Sequence, residues 1–521
     1  MSDTKFTLTL IDVSGVQRYL FGSNKLAHNM GASWLVEQIT SAWLKELLGK
    51  NLTRALAQSP DAKAELIYAG GGNALLLFRQ QADALAFARG LSRKVLTEAP
   101  GLQMLICHTQ FDWYTDALAS AYADVQAQIA NAKTQALTFG EPLGLSVNAV
   151  CVYTGLPAVA KDKDGRWISA EIAAKQHAQN SSRQRLKELM PESAPPNLEF
   201  NADFNQYGDK GEASYIAVVH IDGNGMGRRK QALCDDYKNP NQNHELVIKL
   251  RQFSDEIKKA SDIAIKETLR ISIEYRDRRI KRDSDQVNIA PLVFGGDDIT
   301  FVCEGAQGVS LAVIFLKTFA QQTVMGKPVN ACAGIAIVKT HHPFARAYTL
   351  AAALCKSAKH ALTTENLPDQ SALDWHLAAN SAPENLASLR QREYTVASGE
   401  LSLRPLFLGN PNKPYREWQV FTYIMAEFRK EKEDQTQQKN ENWTQRRNKV
   451  KDLLPTLRAG PKAVEQFRVA FDLRVLLPIP ANLSNDQEIS KTGWNGKQCM
   501  YFDVLESLDL FEDMEIPRGV K

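Results

Sequence analysis

The stretch Pro291–Cys303, PLVFGGDDITFVC, sets two glycines and two adjacent aspartates between two apolar, β-branched runs. Runs of that kind bounded by Gly and Asp read as two strands joined by a tight turn. Paired carboxylates at the tip of a core hairpin repel and raise each other's pKa unless a cation neutralises them. An earlier stretch, Leu66–Phe78 (LIYAGGGNALLLF), repeats the frame without the charges. Laid over one another, the two align as Gly71-Gly72-Asn73-Ala74 over Gly295-Gly296-Asp297-Asp298.

The same order of elements surrounds each hairpin. Before and after the first lie a strand-like KFTLTLID (Lys5–Asp12), a helical stretch from Val16, the amphipathic QADALAFARGLSRKVLTEAP and the strand-like LQMLICHTQF (Leu102–Phe111). Around the second lie YIAVVHID (Tyr215–Asp222), a helix over His244–Arg270, the helix GVSLAVIFLKTFAQQT and the strand VNACAGIAIV (Val329–Val338). Strand, helix, strand, strand, helix, strand is the ferredoxin-like order. Met twice at long spacing, it predicts an α+β chain of two related domains packed as a pseudo-dimer. The expected bounds are 1–150 and 213–366 for the two domains. Residues 151–212, rich in Pro, Gly, Asn and Asp, read as a linker and helical segment, and 367–521 as a C-terminal helical domain. The charged stretch Glu427–Leu454 reads as a solvated helix pair or a disordered connection, against the alternative of a basic nucleic-acid surface.

Composition narrows the class. The 521 residues are 44% hydrophobic and 23% charged, ordinary for a globular protein, and the net charge of +3 does not by itself argue for nucleic acid. Seven scattered cysteines without a CxxC pair suit reduced thiols better than a disulfide framework. The N-terminus lacks the pattern of a signal peptide, and no run reaches the ~18 apolar residues of a membrane helix. A cytoplasmic protein without a membrane partner is the expectation.

The chemistry concentrates on Asp222, Asp297 and Asp298. In a ferredoxin-like sheet the first and third strands are neighbours, which brings the end of Tyr215–Asp222 beside the second hairpin. Three carboxylates there suit Mg²⁺ or Mn²⁺, which takes hard oxygen ligands from one or two carboxylates and from substrate phosphates. Gly295 and Gly296 before the pair, and Gly223-Asn224-Gly225 after Asp222, leave backbone open to a nucleotide. The bland alternative is a β-turn rich in Gly and Asp. The first hairpin keeps Asp12 but has no acidic pair, so its loop Gly70, Gly71, Gly72 and Asn73 would at most hold a second nucleotide. Arg228, Arg229 and Lys230 read either as triphosphate contacts or as a solvated basic turn. His341 and His342 precede Pro343 and read as loop.

At these residues a resemblance becomes plain. FGGDDITF preceded by VVHIDGNGMG (Val218–Gly227) resembles the palm domain of the large, cyclic-oligoadenylate-synthesising subunit of type III CRISPR effector complexes, which is related to GGDEF diguanylate cyclases. Ile11–Leu35 and Tyr68–Phe78 resemble that subunit's other palm, and Leu401–Gly409 (LSLRPLFLG) its entry into the C-terminal helical domain. AYTLAAALCKSAKHAL (Ala347–Leu362) resembles the helix that carries a phosphate-contacting lysine, which makes Lys359 that residue. The resemblance implies a nucleotidyltransferase that joins ATP through 3′–5′ linkages with two Mg²⁺ or Mn²⁺ ions held by Asp222 and Asp297 or Asp298. It implies nucleoside triphosphates as ligands, with guide RNA and effector subunits, or further copies of the chain, as partners. Two departures qualify it. No His-Asp pair of an HD nuclease domain occurs, which argues against DNA cleavage by such a domain. In CVYTGLPA (Cys151–Ala158), Thr154 stands where a second cysteine would complete a zinc-binding CxxC, so no zinc is expected there. A scaffold subunit with target-gated or no cyclase activity is the rival reading, and a diguanylate cyclase built from separate one-palm chains a third.

Overall fold

The computed structural model describes residues 4–49, 51–59, 61–135, 147–207, 214–279, 285–378, 385–409, 412–429, 447–473, 476 and 487–514. Its first domain is built on β1 (Lys5–Ser14), whose alternation serves two cores. Phe6, Leu8 and Leu10 point into one, and Ile11 and Val13 into the other, as the two-residue period of a strand requires. After β1 come α1 (Val16–Phe21), α2 (Leu26–Thr40), β2 (Ala64–Gly70), β3 (Asn73–Phe78), α3 (Gln81–Glu98), β4 (Gln103–Asp112) and α4 (Leu118–Gln135). The sheet order is β2-β3-β1-β4, every pair antiparallel. That is the ferredoxin-like order the sequence predicts.

Two short helices, α5 (Ala170–His177) and α6 (Gln179–Lys187), lead to the second domain. There β5 (Tyr215–Gly223), α7 (Met226–Asp236), α8 (Asn243–Arg279), β6 (Ile289–Val293), β7 (Asp298–Glu304), α9 (Gly308–Ala320), β8 (Ala331–Lys339) and α10 (Phe344–Thr364) repeat the plan. The sheet begins β6-β7-β5-β8 and continues through β9 (Ala372–Ala378) and β10 (Leu406–Phe407). Since β9 pairs parallel with β8, the sheet of the second domain continues past the expected boundary at 366. The region beyond is mostly helical but also carries a small four-stranded sheet over 395–499. The linker reading of Pro191–Tyr207 is corrected. Leu198, Phe200, Phe204 and Tyr207 are buried in the main core, and Glu199–Phe200 pairs with Gln286–Val287. Prolines there shape a buried irregular segment that aromatic side chains fasten down. Most of the charged stretch Glu427–Leu454, residues 430–446, lies outside the described residues.

The domains meet through reciprocal contacts. An ideal Cβ on Gly70 would stand 3.3 Å from the Gly295 carbonyl oxygen, so the two hairpin tips touch. Ser33 on α2 donates to the Leu292 carbonyl of the other domain, and Arg251 on α8 reaches back to Glu65 at 2.9 Å and the Leu66 carbonyl at 2.8 Å. At the start of α8, Asn243 caps α4 across the interface: its Oδ1 accepts from the Leu118 N–H at 2.7 Å. Each domain thus completes its core with its twin's helix. Among the described residues no helix is long and apolar enough to cross a membrane.

Candidate active site

Asp222 stands opposite Asp298, the first residue of β7, in the β5/β7 register, and His220 stands opposite Thr300. Alternate residues share a face, so all four side chains lie on one side of the sheet. Helix α10 covers that side. Its buried stripe Ala347, Ala351, Leu354, Ala358 and Leu362 follows the helical repeat. It lies close because β8 has Gly334 beneath it, where a Cβ would come within 2.0 Å of the Ala351 carbonyl oxygen. That approach delivers Lys359, whose Nζ lies 2.6 Å from Asp222 Oδ2 and donates to the Gly223 carbonyl at 2.9 Å. Asp297 sits in the turn before β7, its carbonyl accepting from the Gly223 N–H at 3.0 Å. The three predicted carboxylates and the predicted lysine therefore meet at one sheet edge.

Crowding sets the electrostatics. Burial pushes Asp298 up to about 7, the charges of Asp222 and Asp297 push the same way, and Lys359 opposes them. Asp297 is raised by burial first and by Asp222 second. The Asp298 side chain nonetheless keeps 51% of its surface open, so solvent reaches a carboxylate that protein surrounds on most sides. Burial and the Lys359 charge lower His220 to about 4, leaving a neutral ring whose Nδ1 lies 3.2 Å from Thr300 Oγ1 and 3.3 Å from Asp298 Oδ1.

Among the described residues no three His, Cys, Asp or Glu side chains converge into a ready metal cage. What converges is a partial donor set, open carboxylates held unfavourably close with Asp222 engaged by Lys359. Such a set fits a hard divalent ion that completes its shell with water and phosphate oxygens, and does not fit a closed structural site.

The other predicted contacts divide. Gly295 adopts φ +94° in the turn, and Gly296 accepts from Ser261 Oγ at 2.5 Å. Gly225, at φ +70°, ends the loop after Asp222 and starts α7. The side chain of Asn224 donates to the Gln370 carbonyl at 3.0 Å, which ties the loop to the segment before β9. Arg229 donates to the Pro328 carbonyl and Lys230 lies 5.0 Å from the Tyr68 ring centroid, so neither is a free solvated charge. His341 and His342 are in a loop.

In the first domain Asp12 pairs with Asn73, and the Val13 N–H donates to the Gly72 carbonyl at 2.9 Å, as Gly223 does to Asp297. Asn73 therefore occupies the place of Asp298 and Gly72 that of Asp297. The sequence alignment was out by one residue, because a run of three glycines offers two registers of equal merit. The conclusion that the acidic pair is absent holds in either register. Sequence reading missed Lys133 on α4, which pairs with Asp12 at 2.7 Å just as Lys359 pairs with Asp222. The signal was present: Ala121-Tyr122 and Ala347-Tyr348 each precede an Ala-Lys pair, Ala132-Lys133 and Ala358-Lys359, at the same spacing. The Asp12 side chain is only 10% exposed against 41% for Asp222, so the first site is sealed where the second is open.

Gly223 offers a direct check on this geometry. A Cβ there would sit 2.9 Å from Asp297 Cβ and 3.1 Å from Met226 Cγ. Gly223→Ala is expected to displace Asp297 and cost about 1–3 kcal/mol in stability by overpacking, which denaturant unfolding measures.

Residues 215–367 match the family model for the second palm domain of Cas10/Cmr2. None of the curated proteins matches the chain. Among solved structures, a Csm1-Csm4 cassette in complex with pppApApA aligns over 98% of this chain and 70% of that one, at 13% identity and a TM-score of 0.50. Csm1 of T. onnurineus aligns over 97% and 70%, at 15% identity and a TM-score of 0.45. A Csm1-Csm4 cassette in complex with cA4 aligns over 71% and 54%, at 14% identity and a TM-score of 0.41. The chain spans about half of the length of that last relative. The likeness to the first of these structures is one of fold.

Proposed function

We propose that this chain is a palm-type nucleotidyltransferase of the kind found in type III CRISPR effectors, joining ATP into a cyclic oligoadenylate in antiviral defence. The observation that carries the proposal is the meeting of Asp222, Asp297, Asp298 and Lys359 at one sheet edge, facing the twin domain's glycine turn. The match of residues 215–367 to the second palm domain of Cas10/Cmr2 supports it. So does the nature of pppApApA, a linear adenylate, as the ligand in the cassette of like fold.

In this reading the turn Gly70–Asn73 holds one nucleotide and the Gly295–Asp298 hairpin the other. The 3′-hydroxyl of the first attacks the α-phosphate of the second. The new O3′–Pα bond forms as the bond to the β-phosphate oxygen breaks, and pyrophosphate leaves. Asp222 with Asp297 or Asp298 would hold two Mg²⁺ or Mn²⁺ ions, which when bound activate the hydroxyl and offset charge on the leaving group. Gly296, with no neighbour nearer than 3.9 Å to where a Cβ would stand, leaves room for phosphate beside the backbone, whereas the space at Gly223 is filled by Asp297 and Met226. Lys359, on a helix packed against the sheet, keeps a positive charge beside the phosphates.

Incubation with each nucleoside triphosphate and Mg²⁺ or Mn²⁺, followed by mass spectrometry, tests the proposal. Cyclic adenylates from ATP alone are expected. Their absence in every mixture, including one with added target RNA and partner subunits, would overturn it. The engagement of Asp222 by Lys359 favours a resting state that must be opened, so a scaffold subunit gated by target is the second reading. Co-purified guide RNA and small subunits would support that reading. A nucleic-acid-free homo-oligomer that consumes ATP would exclude it.

A further inference from the structure

A line of contacts leads from the first domain to the carboxylates of the second. Gln17, on α1, donates its side-chain N–H to the Tyr348 hydroxyl at 3.2 Å. Tyr348, on α10, meets the His220 ring edge-on, with centroids 5.3 Å apart at 71°. His220 Nδ1 lies 3.3 Å from Asp298 Oδ1 and 3.2 Å from Thr300 Oγ1. Phe21, also on α1, packs against this tyrosine at 4.3 Å between centroids. Tyr348 and His220 are 4% and 8% exposed, so neither side chain has space to turn away.

We propose that His220 is a positioning residue for Asp298, braced across the domain interface by Tyr348 and Gln17. The inference rests on the reading of Asp298 as a metal ligand and deepens it. The buried ring presents Nδ1 to both Thr300 Oγ1 and Asp298 Oδ1, at 3.2 and 3.3 Å, and so limits where that carboxylate oxygen can turn. Such outer partners fix the direction of a ligand oxygen without touching the ion. Asp298 opens β7 directly after a glycine-rich turn, and its side chain is half exposed. The brace begins on α1 at Gln17, three residues beyond Ser14 and two beyond Gly15 of the Asp12 loop, so packed side chains connect the first domain's loop with the second domain's ligand.

The test is Mn²⁺ binding to the full chain, followed by electron paramagnetic resonance with and without ATP, alongside the melting temperature of the metal-free protein. His220→Leu is expected to weaken Mn²⁺ about tenfold, the lower end for loss of an outer partner. His220→Gln, which keeps an N–H donor, is expected to recover most of that loss. Tyr348→Phe and Gln17→Ala are each expected to weaken binding about threefold, and the double variant no more than the larger single, because they break one connection. Wild-type affinity in His220→Leu, with the melting temperature preserved, would overturn the positioning role. Losses from Gln17→Ala and Tyr348→Phe that multiply would overturn the brace. No Mn²⁺ binding by the wild-type chain under any condition would instead overturn the metal-site reading beneath both.

Discussion

Asp298→Asn is expected to reduce product formation to below about 0.1% of wild type, a loss of about 4 kcal/mol in transition-state stabilisation, while making the metal-free protein more resistant to heat. The two effects have one cause. In the proposed metal site Asp298 lies near Asp222 and Asp297, and without a cation that closeness is a cost. The folded-state pKa of about 7 lies above the usual carboxylate value of 3.8, so the folded protein binds this proton more tightly than the unfolded chain. Stability from this group is therefore greatest at low pH and falls as pH rises through the interval from 3.8 to about 7. A neutral asparagine removes that fall. The rise in melting temperature should be largest at pH 8 and vanish toward pH 4. Mn²⁺ with ATP should stabilise the wild type and leave the variant unmoved, since a ligand stabilises only the form that binds it. A variant less stable than wild type at pH 8, or one that still makes product, would remove Asp298 from the metal site.

What the sequence disclosed and what it hid follow from range. The hairpin Pro291–Cys303 and the strand ending at Asp222 are each short, strongly patterned and punctuated by glycine, and the ferredoxin-like order alone brings them side by side. Lys359 was legible only through resemblance, since nothing local distinguishes it from other lysines on an amphipathic helix. Its twin Lys133 was overlooked because the first hairpin carries no charges to call attention to it, although its helix keeps the same spacing from Tyr122. His220 looked like one more residue of a buried strand. Its meaning lies in a diagonal contact across β7 and in a tyrosine from a helix more than a hundred residues later, and no periodicity reports either. Residues 191–207 misled for the opposite reason. Proline and asparagine mark irregular backbone, and irregular backbone is usually exposed, but here Phe200, Phe204 and Tyr207 anchor it in the core.

The region beyond the second domain is fastened by charge as much as by apolar packing, and Arg404→Met is expected to show it, with a loss of about 3–5 kcal/mol in unfolding free energy. The Arg404 side chain is 1% exposed. Its Nη1 donates to the Trp375 carbonyl in β9 at 2.7 Å, its Nε lies 3.0 Å from Asp503 Oδ1, and its Nη2 lies 2.8 Å from Glu506 Oε2. Asp503 and Glu506 belong to α11 (Phe502–Ser507), so one guanidinium clamps a C-terminal helix to a strand of the second domain's sheet. The plane also lies 5.0 Å from the Trp375 ring centroid and 4.8 Å from that of Tyr394. Methionine fills much of the same volume but leaves two buried acids without their cation, and burial already raises Glu506 even with Arg404 beside it. Most of the loss is therefore the cost of those orphaned carboxylates. Adding Asp503→Asn and Glu506→Gln to Arg404→Met should recover a large part of it, in urea unfolding at pH 7. Recovery would assign the role of Arg404 to charge compensation, and its absence to the hydrogen bond with Trp375 and the ring contacts. A single Arg404→Met change costing less than about 1 kcal/mol, the range of exposed ion pairs, would show that the clamp is not what holds this region to the sheet.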